Sequence, residues 1–111
     1  MSEMHPEDAK IVTLARAARA RTGAASGAAV RDTDGRTYAA AAVTLASLPL
    51  SSLQVAVAMA ASAGAPGLEA AATDADVVHE DDLAALRELG GVGVPVLLVD
   101  VHGTLVQRIS T

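Results

Sequence analysis

Helical and strand-like segments alternate along this chain, and turns containing glycine or proline separate them. Residues 94–99 form the clearest strand pattern, because they are apolar, rich in β-branched side chains and bounded by turn residues. Residues 7–22 instead repeat apolar side chains at helical spacing after Pro6. The predicted elements are, in order, helix 7–22, strands 27–31 and 36–44, a helix opened by Pro49 and Ser51 that runs to Gly64, strand 68–75, helix 80–90, and strands 94–99 and 104–109. This order predicts a layered α/β fold with a mixed sheet, with residues 1–111 forming a single domain.

Small side chains dominate the predicted core. The chain has 26 alanines among its 111 residues, and Tyr38 is its only aromatic residue. Alanine buries little area, so each packed layer contributes little hydrophobic free energy, although helices can then lie close to the sheet. A small domain with so thin a core gains stability when a partner subunit buries more of its apolar surface. We therefore expect a homo-oligomer, either a dimer or a tetramer.

Charge and composition argue against several classes of partner. The net charge is −5, the arginines are scattered, and aromatic side chains for base stacking are missing, which argues against nucleic acid. The longest apolar run, residues 55–61, is too short to cross a bilayer, so we expect no membrane partner. The acidic start at residues 1–8 lacks the positive and apolar regions of a signal peptide, and the chain has no cysteine. These features favour a cytoplasmic protein.

Residues 27–51 carry a pattern that is found in a known family. The run Gly27-Ala28-Ala29-Val30 is followed by the Asp34-Gly35 turn and a returning strand. The next stretch matches a family motif at Val43, Ala46, Ser47 and Leu50, with Ser51 as a conservative replacement. This arrangement resembles the small homo-oligomeric cytidine deaminases. The resemblance implies a three-layer α/β/α sandwich around a mixed five-stranded sheet.

The chain departs from that family at the residues that carry its chemistry. In the family, a Cys or His at the start of the second helix binds zinc, and a Glu two residues later moves the proton. The matching positions here are Leu53 and Val55. The Asn and Glu that hold the ribose correspond to Ala42 and Thr44, and the second zinc motif needs cysteines that this chain lacks. Catalytic zinc needs three protein ligands, so the resemblance implies a scaffold with no cofactor and no catalytic residues.

His79 and Asp82 are the remaining candidates for metal binding. When the third helix is aligned on Leu86, these two residues fall on the positions of the family's zinc-binding cysteines. Both residue types bind zinc, but two ligands make a poor site. The simpler interpretation is that Asp82 charges a helix N-terminus and that His79 is a solvated loop residue.

A second motif has a simpler explanation than catalysis. Residues 97–105 resemble the Asp-x-Asp-Gly-Thr motif of haloacid-dehalogenase-type phosphatases, with His102 at the second Asp position. That motif belongs to the first strand of a much larger domain, whereas here it lies near the end of the sequence. A hairpin turn that uses the backbone freedom of Gly103 is favoured instead.

The sequence therefore leads to two hypotheses of different classes. The first is a catalytically inactive cytidine deaminase-like protein that acts by associating with itself or with a protein partner. Its expected interface is the alanine-rich second helix, at Leu50, Leu53, Val57, Ala60 and Ala61. The alternative is a divergent nucleoside deaminase that uses an atypical metal site at His79 and Asp82.

Overall fold

The structure of the protein, a computed structural model, describes residues 4–111. The first three residues of the acidic start, on which part of the localisation prediction rests, lie outside this range. The helices are α1 (Pro6–Thr22), α2 (Ser52–Ser62) and α3 (Glu80–Gly90). The strands are β1 (Gly27–Asp32), β2 (Thr37–Ala41), β3 (Val43–Leu45), β4 (Leu48–Leu50), β5 (Leu68–Thr73), β6 (Pro95–Val99) and β7 (Leu105–Ser110). Each predicted helix and strand has a counterpart, and β3 and β4 form a hairpin that the sequence pattern did not predict.

Five strands form one mixed sheet in the order β2-β1-β5-β6-β7. β1 pairs antiparallel with β2 and β5, β5 pairs parallel with β6, and β7 closes the edge antiparallel to β6. The mixed five-stranded sheet that the resemblance implied is thereby confirmed.

Strand alternation divides the core into two layers. Ala28 and Val30 of β1 belong to the cluster beneath α2 and α3, whereas Ala29 between them belongs to the cluster beneath α1. Neighbouring residues of a strand point to opposite faces, so each buried strand contributes to both clusters. The result is the expected three-layer sandwich, with α1 on one face and α2 and α3 on the other.

Helix α1 packs unusually close to the sheet. Alanine at positions 15 and 18 places little side-chain bulk between the helix and β1, and both residues are buried. A Cβ atom on Gly27 would lie 2.0 Å from the carbonyl oxygen of Ala15 and 3.0 Å from the backbone nitrogen of Arg19. Only glycine fits at this point, because the contact is with helix backbone that cannot move aside.

The two predicted turns at Asp34-Gly35 and His102-Gly103 have the same construction. In the first, the carboxylate of Asp32 accepts hydrogen bonds from the backbone N–H groups of residues 34 and 36, both at 2.9 Å. In the second, the carboxylate of Asp100 accepts from residues 102 and 104, at 2.8 and 3.0 Å. Gly35 and Gly103 supply the positive φ angles that these turns need. The hydrogen bond from the N–H of residue 104 lowers the pKa of Asp100. Its carboxylate therefore serves the turn, as the hairpin interpretation of residues 97–105 expected.

The returning strand and the start of the second helix need correction. The predicted strand 36–44 is interrupted at Ala42, whose N–H bonds to the carbonyl of Ser26 at 3.1 Å. The chain then forms the β3–β4 hairpin, in which Thr44 pairs with Pro49. Pro49 and Leu50 consequently belong to a strand rather than to the helix. Within residues 4–111, no helix combines the length and apolarity that crossing a lipid bilayer requires.

Candidate functional site

The first turns of α2 and α3 meet at a polar cluster, which we call the helix-end junction and define as Ser26, Ser51, Ser52, Thr73, His79 and Asp82. Ser51 caps α2 by accepting a hydrogen bond from the N–H of Gln54 at 3.1 Å. Its hydroxyl also donates to Oδ1 of Asp82 at 2.5 Å. Oδ2 of Asp82 accepts from the backbone N–H of His79 at 2.9 Å. One buried carboxylate therefore joins the two helix starts.

A chain of hydroxyl groups lies beneath this contact. The hydroxyls of Ser26 and Ser52 are 3.0 Å apart, and those of Ser52 and Thr73 are 3.4 Å apart. Thr73 donates to the carbonyl of Gly27 at 2.8 Å, which completes the chain at the start of β1. All three hydroxyl residues are buried, and none of the buried side-chain polar atoms of residues 4–111 lacks a hydrogen-bond partner. The junction is thus a self-satisfied polar network.

Asp74 follows the hydroxyl chain on the α1 side. Its Oδ1 accepts from the N–H of Gly27 at 2.8 Å, and its Oδ2 lies 3.4 Å from the guanidinium of Arg19. Its side chain is almost completely buried. This carboxylate holds the start of β1 against the end of β5, which is a structural use of the group.

Residues 4–103 match a family model described as cytidine deaminase-like. The chain belongs to the cytidine deaminase-like family. A cytidine deaminase from Burkholderia pseudomallei has a similar structure, with a TM-score of 0.80 and 21% sequence identity over 96% of this chain and 93% of that one. A cytidine deaminase from Mycobacterium leprae gives a TM-score of 0.70 and 21% identity over 80% and 85% of the two chains. At such identities the likeness establishes the fold. No curated protein sequence matches the chain.

The junction does not fit the zinc ion that this family implies. Both oxygens of Asp82 are already engaged, by a hydroxyl group and a backbone N–H. His79 donates to Asp82 through its backbone N–H, and the residue is exposed. Within the described part of the chain, no three His, Cys, Asp or Glu residues are grouped so that they could hold a metal ion. The donor set therefore falls short of the three ligands that catalytic zinc requires.

The residue that faces Asp82 is Ser51, two positions before the residue that the sequence motif indicated. Leu53 instead has 2% of its surface exposed and lies in the core beneath α2. If the family's zinc-ligand positions are those that meet at the junction, the register over α2 shifts by two residues, and Leu53 takes the place of the proton-transferring Glu. In neither register does a carboxylate occupy that place, because the two candidates are Leu53 and Val55.

The structure does not bring the other predicted positions to the junction. Val55 is half-buried and lines a groove with Tyr38 and Met59. Ala42 is half-buried at the break after β2, and Thr44 is exposed on β3. The two ribose positions of the sequence comparison therefore lie on the β3–β4 side of the fold, and neither contacts Ser51 or Asp82 by a hydrogen bond.

The predicted interface on α2 also changes. Leu53, Val57 and Ala60 face the sheet and are buried within the chain itself, so they are not available to a second subunit. Leu50 is half-buried at the end of β4, and Ala61 is exposed. Ala61 shares the open surface of α2 with Ala58, Met59 and Ser62, which the prediction did not include.

Sequence reasoning missed Ser26, Ser52, Thr73 and Asp74. Each is a polar residue directly beside a buried element: Ser26 precedes β1, Ser52 opens α2, and Thr73 and Asp74 stand where β5 ends. Because β1 and β5 are antiparallel, the start of one strand and the end of the other share one edge of the sheet. Polar residues at those two ends were a usable signal for a polar cluster.

Proposed function

We propose that this chain is a non-catalytic member of the cytidine deaminase-like family that acts by associating with itself or with a protein partner. The observation that carries the proposal is the closed state of the helix-end junction. Where active relatives would need an open metal position, Asp82 uses both oxygens to join the starts of α2 and α3. The chain has no cysteine and therefore forms no disulfide, which supports a cytoplasmic location.

The lack of a proton carrier supports the same conclusion independently of zinc. Deamination of a nucleobase needs an acid–base group beside the activated water. The candidate positions on α2 hold Leu53 and Val55, neither of which can carry a proton. Gln54 lies between them, but its side-chain oxygen accepts from the N–H of Ser51 at 2.9 Å and so serves the helix cap.

Metal analysis and a turnover assay test the inactive half of the proposal. We expect purified protein dialysed against zinc to hold far less than one equivalent, and its thermal midpoint to be unchanged by zinc or a chelator. We also expect no release of ammonia from cytidine. Stoichiometric zinc together with cytidine turnover would contradict the proposal and favour the divergent deaminase that uses His79 and Asp82.

A designed zinc site tests the shifted register. Replacing Ser51, His79 and Asp82 together by cysteine places three thiolates at the junction, and we expect this variant to bind Co²⁺ with the absorption of tetrahedral thiolate coordination. The matched control carries the cysteine at Leu53 instead of Ser51. Equal Co²⁺ binding by the two variants, or binding by the control alone, would overturn the assignment of Ser51 to the junction.

A further inference from the structure

Two cavities adjoin each other at the edge of the sheet where β5 and β6 end. These two strands pair in parallel, so their carboxyl ends lie side by side. In open α/β sheets, ligands commonly bind in the crevice outside the carboxyl ends of the strands. Neither cavity is lined by a residue of the helix-end junction. This edge of the sheet therefore offers a ligand a place that is separate from the junction.

The first cavity, which we call the arginine cavity, has a volume of about 310 Å³, and Arg16, Arg19 and Asp74 are among the residues that line it. Arg19 is already paired with Asp74, whose side chain is almost completely buried. Arg16 takes part in none of the ion pairs among residues 4–111. Its Nη1 would lie 2.9 Å from a Cβ atom on Gly103, which places the guanidinium against the turn between β6 and β7. The arginine cavity therefore contains a positive charge that no carboxylate of the described residues neutralises by direct contact.

The second cavity, which we call the aspartate cavity, has a volume of about 240 Å³ and adjoins the first at Asp74 and Val101, which line both. Its other charged residues are Asp76 and Asp100, and no basic side chain of the described part of the chain lines it. Both hydrogen bonds that the Asp100 carboxylate accepts from its own turn fall on Oδ1, which leaves Oδ2 for a further donor. Val101 and Val106 give the cavity an apolar wall.

We infer that the two cavities together bind a small zwitterionic peptide, a dipeptide with its carboxylate at Arg16 and its ammonium group between Asp76 and Asp100. A guanidinium binds a carboxylate through two parallel hydrogen bonds, and carboxylates accept the three N–H donors of an ammonium group. The aspartates repel a simple anion and Arg16 repels a simple cation, so a molecule with both charges is favoured over either. This site goes beyond the proposed function and does not depend on it.

The size of the cavities and their separate charges indicate the length of the ligand. Pockets for drug-sized molecules measure about 300–1,000 Å³, so cavities of about 310 and 240 Å³ suit a small molecule. The positive and negative groups line different cavities, whereas a free α-amino acid carries both of its charges on one carbon atom. A dipeptide separates them by a peptide unit and places its side chains beside Val101 and Val106.

Titration calorimetry with L-alanyl-L-alanine is the first test. We expect saturable binding with a dissociation constant of about 1 mM or lower. N-acetyl-L-alanyl-L-alanine lacks the ammonium group and L-alanyl-L-alanine amide lacks the carboxylate. Each should bind about tenfold more weakly or worse, because each loses hydrogen bonds between charged groups. L-alanine, with both charges on one carbon, should also bind more weakly than the dipeptide.

Variants assign each end of the peptide to its cavity. Arg16 and Asp76 are exposed, so their substitution leaves the core intact, which circular dichroism checks. Arg16→Met should weaken dipeptide binding about tenfold and abolish the preference for the dipeptide over its amide. Asp76→Asn should weaken binding and reduce the preference for the dipeptide over its N-acetyl form. The matched controls, Arg21→Met and Asp34→Asn, alter exposed residues that line neither cavity and should leave binding unchanged.

Each contrary outcome overturns a defined part of the inference. Absence of saturable binding by L-alanyl-L-alanine overturns the site. Equal binding of the dipeptide and its N-acetyl form overturns the role of the aspartate cavity, and tighter binding of L-alanine overturns the span across both cavities. Equal effects of Arg16→Met and Arg21→Met overturn the assignment of the carboxylate to Arg16. The zinc and turnover measurements address the helix-end junction and are unaffected by any of these results.

Discussion

The two faces of the sheet hold their charged side chains in different ways, and two neighbours in β1 show it. Arg31 turns to the α1 face, where it pairs with Asp8 at 3.2 Å and with Glu69 at 2.9 Å. Asp32 turns to the other face, where it is buried and accepts a hydrogen bond from the hydroxyl of Tyr38 at 2.8 Å. One residue is satisfied by formal charges of opposite sign, and the next is satisfied by neutral donors.

The difference extends beyond β1. Asp74, on the α1 side, lies beside Arg19, whereas Asp82, at the starts of α2 and α3, accepts only from Ser51 and the backbone of His79. Residues 37–68, which include β2 and α2, contain no charged residue, so this part of that face has no cation to offer. Ion pairs are screened by salt, whereas hydrogen bonds from neutral donors depend on geometry. The ion pairs of Arg31 on the α1 face should therefore respond to ionic strength, and Asp32 and Asp82 on the opposite face to the loss of individual donors.

Gly27→Ala tests the tightest packing on the α1 face and has the largest expected effect. The new Cβ would meet helix backbone at Ala15, so α1 must move away from β1. We expect a loss of about 3 kcal/mol or more in the free energy of unfolding, at the upper end of overpacking costs, measured by urea denaturation. Gly67→Ala is the control, because its Cβ would meet only the side chain of Thr33 at 3.4 Å. Equal stability of the two variants would contradict the close approach of α1.

Asp82→Ala tests the opposite face at the helix-end junction. The substitution leaves the hydroxyl of Ser51 and the N–H of His79 without their shared acceptor. We expect a loss of about 1–3 kcal/mol, because two partly buried hydrogen bonds to a carboxylate are lost, with little dependence on salt. Asp82→Asn keeps one acceptor oxygen and should cost less. An Asp82→Ala variant as stable as the unaltered chain would show that the junction does not depend on this carboxylate.

Local signals were sufficient to predict the scaffold. The Asp-Gly and His-Gly turns, the Pro6 helix start and the β-branched strand 94–99 are each encoded within a few residues, and the structure contains all of them. The interruption at Ala42 was not predictable in this way. Residues 39–42 are four alanines, which carry no alternation that would mark where a strand ends.

The start of α2 and the junction needed information from distant residues. Proline is common at the first position of a helix. Pro49 instead lies in β4, and because β4 pairs only with β3, the strand tolerates the missing N–H. The hairpin makes α2 begin later than Pro49 indicates, and Ser51 rather than Leu53 is the residue that bonds to Asp82. The contact between Ser51 and Asp82 joins residues that are 31 positions apart, and only the packing of α2 against α3 brings them together.

Arg31→Met tests the ionic side of the comparison. Methionine keeps much of the length of the arginine side chain but removes both of its ion pairs. The Arg31 side chain that forms them is mostly buried. We expect a loss of about 1–2 kcal/mol at low salt, and a smaller loss in 1 M NaCl because screening weakens the pairs in the unaltered chain. Arg87→Met removes a more exposed pair with Glu80 and should change stability by less than about 0.5 kcal/mol. A salt-independent loss for Arg31→Met would assign its effect to packing.

The smallest expected effect concerns Tyr38, and it is the most direct to observe because this is the only aromatic residue of the chain. The hydrogen bond to Asp32 raises the pKa of Tyr38 above its ordinary value near 10, and burial acts in the same direction. Burial would raise the pKa of Asp32 as well, but the hydrogen bonds from Tyr38 and from the N–H groups of residues 36 and 34 outweigh it and lower the pKa.

The two shifts act at opposite ends of the pH scale. The raised pKa of Tyr38 stabilises the fold fully below about pH 10, and this contribution is lost as the pH rises through the pKa of the folded state. The lowered pKa of Asp32 stabilises the fold above about pH 4, and this contribution is lost as the pH falls through the pKa of the folded state. Titration of phenolate absorbance should give a midpoint above 10, and Asp32→Asn should move it back toward 10. Asp100→Asn, which alters the matching turn at the other hairpin, should leave it unchanged. An unchanged midpoint in Asp32→Asn would show that the hydrogen bond between Tyr38 and Asp32 does not affect the titration of Tyr38. Arg31 and Asp32 would then differ in which face of the sheet they occupy, and the hydrogen bond from Tyr38 would not be part of that difference.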